Sequence, residues 1–181
     1  ALEFFQGRHQ KVLDEWMSGA LSDEVLRRRI GYADDTPLGT WESFEPVLQF
    51  AREHGYRLVA LDSVGRGAAG ETLRLRDKYA AARLVQVLRH HPEDLVMVLI
   101  GDLHVSPRHL PRDVLRALGP KVPAPEQLVI YQNCHEIYWQ LESRGREHDV
   151  EVVRVRPREY CMMNTPPIVC QQSFLNWLDV E

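Results

Sequence analysis

Short apolar runs alternate with longer stretches of helical periodicity along the whole chain. The runs at 1–5 (ALEFF), 56–62 (YRLVALD), 95–101 (LVMVLIG), 127–133 (QLVIYQN) and 150–155 (VEVVRV) are rich in Val, Ile, Leu and aromatic residues, as strands are. Most are apolar at successive positions and do not alternate, which is the pattern of strands covered on both faces. The expectation is an α/β fold, a mainly parallel sheet flanked by helices on both faces.

Three helical stretches separate the first two runs. Residues 9–17 place Val12, Leu13, Trp16 and Met17 on one face; a second helix follows Ser22 as N-cap; a third ends at Gly55. Pro46 is expected in the first turn of that third helix with Ser43 capping it, because a deeper proline removes a backbone bond. Residues 66–91 give a glycine-rich entry and then a long helix with Leu73, Ala80, Leu84, Val87 and Leu88 on or near its buried side. Further helices are expected at 111–118, 135–145 and 165–178, the last opened by Thr165 and Pro166. Its Phe174, Trp177 and Leu178 read as packing.

With 181 residues, 44% of them hydrophobic and 27% charged, the chain is long enough for one compact domain. Such a domain buries roughly 70% of the surface its unfolded chain exposes. No repeat or linker divides it, so 1–181 reads as a single domain. A net charge of -4 without a concentrated basic face argues against nucleic acid as a partner. The run Arg27 to Arg29 reads as the solvated side of a helix. No stretch approaches the roughly 20 apolar residues of a membrane span. Three cysteines without C-x-x-C spacing suggest neither a disulfide framework nor a zinc knuckle, so a cytoplasmic, reducing location is expected. Neither nucleotide-binding glycine motif is present.

Candidate chemistry gathers where the apolar runs stop. In an open parallel sheet, ligands bind beyond the carboxyl ends of the strands. Glu3 lies in the first run, Asp62 closes the second, Gly101, Asp102 and His104 follow the third, and Asn133, Cys134 and His135 follow the fourth. Gly101 permits a sharp exit from the sheet or a close approach by a neighbour. His104 then has two readings: an acid, base or ligand oriented by a carboxylate, or a structural hydrogen-bonding residue beside a capping Asp102. His109, about one turn further on, is a weaker candidate for the same rim. His90 and His91 read as satisfying the carbonyls of the helix they end. Arg76 and Asp77 read from spacing alone as an exposed local pair of little energetic worth. Tyr160, Cys161, Met162 and Met163 form a soft cluster, either core-filling or facing a metal or haem.

Taken in order, ALEFF with Gln10 after it, GTWESFEPVLQFA, YRLVALD, the pair Arg76 and Asp77, and IGDLH resemble the ChaN-like haem-binding domain of the Tiki and erythromycin esterase-like superfamily. The resemblance implies a polar cleft built from two Gly-x-x-His elements and an acid from the first strand. Glu3 is then that acid, and Gly101 and His104 form the second element. The first element would precede Ala1, so an N-terminal strand and that element are expected to be missing, and a lipoprotein anchor upstream stays compatible. Asp102 and Leu103 depart from the small residues usual between that glycine and histidine.

The implied ligand is haem, with Tyr160 or His104 as axial ligand, Arg76 and Gly101 beside it, and a homodimer interface as a possible slot. The competing reading is a metal-dependent peptidase or esterase in which Glu3, Asp62 and His104 surround a divalent ion and His104 and Asp102 carry the acid-base work. A third is a binding or scaffolding domain whose rim has lost its chemistry.

Overall fold

The computed structural model describes residues 1–31, 41–63 and 69–169, the side chains of 69–71 excepted. Its contacts divide the chain into two compact units, Ala1–Pro123 and Ala124–Glu181.

In the first unit, β1 (Leu2–Gln6) is the centre of a small parallel arrangement. On one side it pairs with β2 (Ala60–Asp62), Leu2 opposite Ala60 and Gln6 opposite Asp62, with a slip of register between them. On the other side the Glu3 amide donates to the Leu99 carbonyl at 3.0 Å and the Leu99 amide to that of Ala1 at 2.9 Å, an isolated parallel bridge. The apolar segment before β2 is covered on both faces. Leu58 and Ala60 belong to a core cluster with Leu2, Phe5, Leu13, Trp16, Leu26, Trp41 and Leu48. Val59 and Leu61 point the other way, into a cluster with Ala80, Ala81, Leu84, Val85, Leu110, Val114 and Leu118. Each buried Leu here stabilises by about 1.5–3 kcal/mol relative to an exposed one.

The expectation of a mainly parallel sheet is corrected. Among the described residues the pairings make a two-stranded parallel sheet and a separate three-stranded mixed one. The run at 95–101 shows why. Val96, Val98 and Ile100 pack against the second cluster, whereas Leu95, Met97 and Leu99 are exposed. An unbroken apolar run reports composition, and neither the length of the ladder nor the cover on its second face follows from it.

After a 3-10 turn (Gly7–His9), α1 (Gln10–Met17) buries Leu13 and Trp16. The second helix, α2 (Asp23–Ile30), starts as expected at Ser22, whose hydroxyl accepts the Val25 amide at 3.4 Å, and stops at Gly31 with φ +67°. α3 (Trp41–Glu53) begins further upstream than expected, so Ser43 lies inside it and Pro46 sits in its second turn. The physical reason is Trp41, only 2% exposed, whose ring belongs to the first core cluster and holds the helix start there at the expense of one backbone bond. The long α4 (Ala69–His90) packs on the second cluster, and His90 Nδ1 faces the Gln86 carbonyl at 2.7 Å. One helical turn, α5 (Asp102–Val105), follows the 95–101 run. Then α6 (Leu110–Leu118) has Pro111 in its first turn and buries Leu110, Val114 and Leu118, four residues apart.

The second unit holds β3 (Val129–Gln132), α7 (His135–Glu142), β4 (Val152–Arg156) and β5 (Glu159–Met162). The strand order is β3-β5-β4, β3 parallel and β4 antiparallel to β5. Strand β5 was not expected. Its turn places Arg158 at φ +64°, where glycine or asparagine is the usual signal. Asn133, also left-handed, caps the returning chain: its side-chain oxygen accepts the amides of Asn164 and Thr165, each at 3.0 Å. Cys161 is fully buried. The glycine-rich entry to α4 at 66–68, Cys170 and the expected packing face of Phe174, Trp177 and Leu178 lie outside the described residues. No helix among the described residues is long and apolar enough to cross a membrane.

Candidate functional site

Six side chains from five separate segments of the first unit form one continuous polar chain. Glu3 comes from β1, Asp62 ends β2, Arg76 and Asp77 are consecutive on α4, His104 lies in α5 and His109 precedes α6. Consecutive helical residues point about 100° apart. Arg76 therefore turns one way, its Nε donating to Asp62 Oδ1 at 2.7 Å and its Nη2 to Glu3 Oε1. Asp77 turns the other way, with Oδ1 2.6 Å from His104 Nδ1 and Oδ2 2.7 Å from His109 Nδ1. His104 closes the chain through Nε2, 3.1 Å from Glu3 Oε1. The second oxygen of Glu3 accepts the Gly101 amide at 2.6 Å.

The electrostatics follow from what each group can donate. A carboxylate only accepts, so a ring with carboxylate oxygens at both nitrogens is satisfied as the imidazolium. Burial pulls the His104 pKa down; the hydrogen bonds to Glu3 and Asp77 and their charges outweigh it, and the result lies above the ordinary 6.5. For Glu3, burial pushes upward and is outweighed by His104, the Gly101 amide and Arg76, so its pKa falls below 4.5. Burial likewise opposes the Arg76 charge, and Asp62 and Glu3 more than restore it. Asp77 is 1% exposed and His104 4%, so these contacts are shielded from solvent. Leaving any one of these partners unpaired costs about 1–3 kcal/mol.

Glu3, Asp62, Arg76 and His104 are thus brought together. Gly101 contributes its amide, but its backbone, φ -58° and ψ 149°, is open to any residue, and an added Cβ would lie 3.4 Å from Glu3 Oε2, an ordinary contact. Asp102 is exposed at the start of α5, and the carboxylate against His104 belongs to Asp77. Tyr160 lies on β5 in the second unit, opposite Ile130 and Arg154 in the ladder. The reading of Arg76 and Asp77 as an exposed local pair is corrected: they pair with different partners, Asp77 fully buried and Arg76 partly buried. The sequence carried a signal for Asp77. It falls four residues after Leu73 and three before Ala80, an acid on the apolar stripe of its helix. Among the described residues, no three or more His, Cys, Asp and Glu converge as a metal-binding group. At Glu3 and Asp62 the guanidinium of Arg76 already supplies the positive charge.

Residues 1–69 match the family model for haem-binding uptake, Tiki superfamily, ChaN. Glu3 and Asp62 fall inside that stretch. A chloroplastic protein of Arabidopsis thaliana, RETICULATA-RELATED 5, is 33% identical over 60 residues, which are 33% of this chain and 8% of that protein. The chain therefore spans a small fraction of that relative's length. No solved structure matches.

Proposed function

We propose, from the match of residues 1–69 to the ChaN haem-binding family, that this chain binds an iron porphyrin at the polar network of its first unit. The match is the observation that carries the reading. The chemistry of the donor set is compatible with it. A porphyrin brings four nitrogens of its own and asks the protein for an axial donor, an apolar surface and charge complementarity. His104 is closed as a donor, since carboxylates hold both of its nitrogens, but the network retains a second imidazole at His109. Leu103, next to His104 and 66% exposed, adds apolar surface there. When bound, haem would supply an iron centre for ligand or electron exchange. The protein would position it and set its electrostatics.

The metal-dependent hydrolase reading has less support, because a divalent ion between Glu3 and Asp62 would have to displace Arg76. Titration of the purified chain with hemin tests the proposal. A saturable Soret shift at micromolar hemin, with a one-to-one endpoint, is expected. A shift that grows linearly without saturation, as free hemin gives, would end it.

A further inference from the structure

We propose that the run at 95–101 is a docking edge that takes an extended segment of a partner protein as an added strand. The segment it fits is apolar, with Lys or Arg at both ends. This does not depend on the haem-binding reading.

Successive residues of an extended chain turn their backbone groups to opposite sides within the plane of the sheet. Leu99 turns both of its groups toward β1, its amide to the Ala1 carbonyl at 2.9 Å and its carbonyl to the Glu3 amide at 3.0 Å. The Met97 carbonyl points the same way and accepts the Ala1 ammonium at 2.7 Å. Val96, Val98 and Ile100 therefore turn theirs away from β1, and among the described residues nothing bonds them. Such a row of amides and carbonyls is a template for another strand. Edges are ordinarily blunted by a charge or a proline, and residues 95–100 contain neither. Beside this edge one face of the run is bare: Leu95 is 95% exposed, Met97 70% and Leu99 43%. The other face, with Val96, Val98 and Ile100, packs against the second core cluster and holds the edge in place. Backbone bonds along an open edge, with side-chain contacts at alternate positions, are how a sheet takes up an extended peptide.

The charges around the run select the occupant. Glu93 and Asp94 precede it, Asp102 follows it, all three are exposed, and no described residue forms an ion pair with any of them. No Lys or Arg occurs between Arg89 and Arg108. A second copy of the chain is disfavoured by these acids. Antiparallel pairing of two such runs about Val98 sets Asp94 opposite Asp102 at both ends, and like charges directly opposite destabilise a pair of strands. An apolar strand flanked by basic residues meets an acid at each end in either direction.

The test uses the full chain and a fluorescein-labelled nonapeptide, alternating valine and threonine between paired lysines. A saturable rise in anisotropy is expected, weakening as salt screens the end charges. A control whose core amides are all N-methylated cannot donate to the edge and should not bind. Amide exchange followed by NMR should slow on peptide addition at Val96, Val98 and Ile100 and stay unchanged at Leu99, already bonded to Ala1. Asp94→Lys combined with Asp102→Lys should weaken the peptide about fivefold or more through the loss of two exposed ion pairs. The same variant should bind the core flanked by glutamates, a gain that a misfolded protein would not give. No saturable rise, or a rise that the N-methylated control matches, would overturn the proposal. So would protection of the three amides in the chain alone together with a dimer in analytical ultracentrifugation, which would assign the edge to a second copy.

Discussion

His104 and Glu3 stabilise the fold through opposite protonation states, and this sets the pH range in which the network is intact. The folded pKa of His104 is raised above 6.5, so its contribution is complete below 6.5 and is lost as pH rises through the raised value. That of Glu3 is lowered below 4.5, so its contribution is complete above 4.5 and is lost as pH falls through the lowered value. Both are present in full between those limits. Urea unfolding followed against pH should give a stability plateau there. His104→Gln should lower the plateau by about 1–3 kcal/mol, since Asp77 and Glu3 each lose a charged donor, and should flatten the alkaline decline. An alkaline decline of equal steepness in wild type and variant would show that His104 does not govern it. At this scale the sequence pointed to Asp62 and His104 through their places where apolar runs stop, and to Glu3 as the acid that the family resemblance implies on the first strand. Asp102 was a plausible partner for His104 because it is two residues away, yet a one-turn helix directs the two side chains apart and a distant helix supplies the acid.

The joint between α4 and the 3-10 turn after β1 depends on a missing side chain. A Cβ built on Gly7 would lie 1.6 Å from the Tyr79 hydroxyl oxygen and 2.7 Å from the ring carbon that bears it, so the phenol and any larger residue at position 7 cannot coexist unmoved. Tyr79 is 36% exposed and its ring can swing outward, so Gly7→Ala should destabilise by no more than about 1 kcal/mol, and in a Tyr79→Ala background the same change should cost close to nothing. A double-mutant cycle in urea measures this; additive effects would mean that the clash is relieved elsewhere. Helices were the most legible elements, because Ser22 and Gly55 mark their ends with local chemistry that acts within a few residues. Strand β5 was not legible, because its turn uses Arg158 where a glycine would have announced it. Nor was the start of α3, which the burial of Trp41 decides.

On the scale of the whole molecule, every residue of the network and both large core clusters lie within Ala1–Pro123. The connecting residues 120–124 are exposed. A fragment of residues 1–123 should therefore unfold cooperatively on its own, with a tyrosine and tryptophan near-UV signal like that of its counterpart in the full chain, and trypsin should cut the native protein after Lys121. Loss of cooperative unfolding in the fragment would show that the first unit depends on the second. The division between the two compact units falls after Pro123, within the proline-containing stretch at 119–127 that the sequence marks as a surface connection. By itself the sequence determined what local forces set: helix faces, caps, the alternation of helix and strand, the family resemblance, and which apolar runs end in charged residues. Tertiary structure alone decided the pairing of strands and the partners of Arg76, Asp77 and His109. Those contacts join residues tens of positions apart, and their strength comes from the exclusion of water, which exists only once the core has closed.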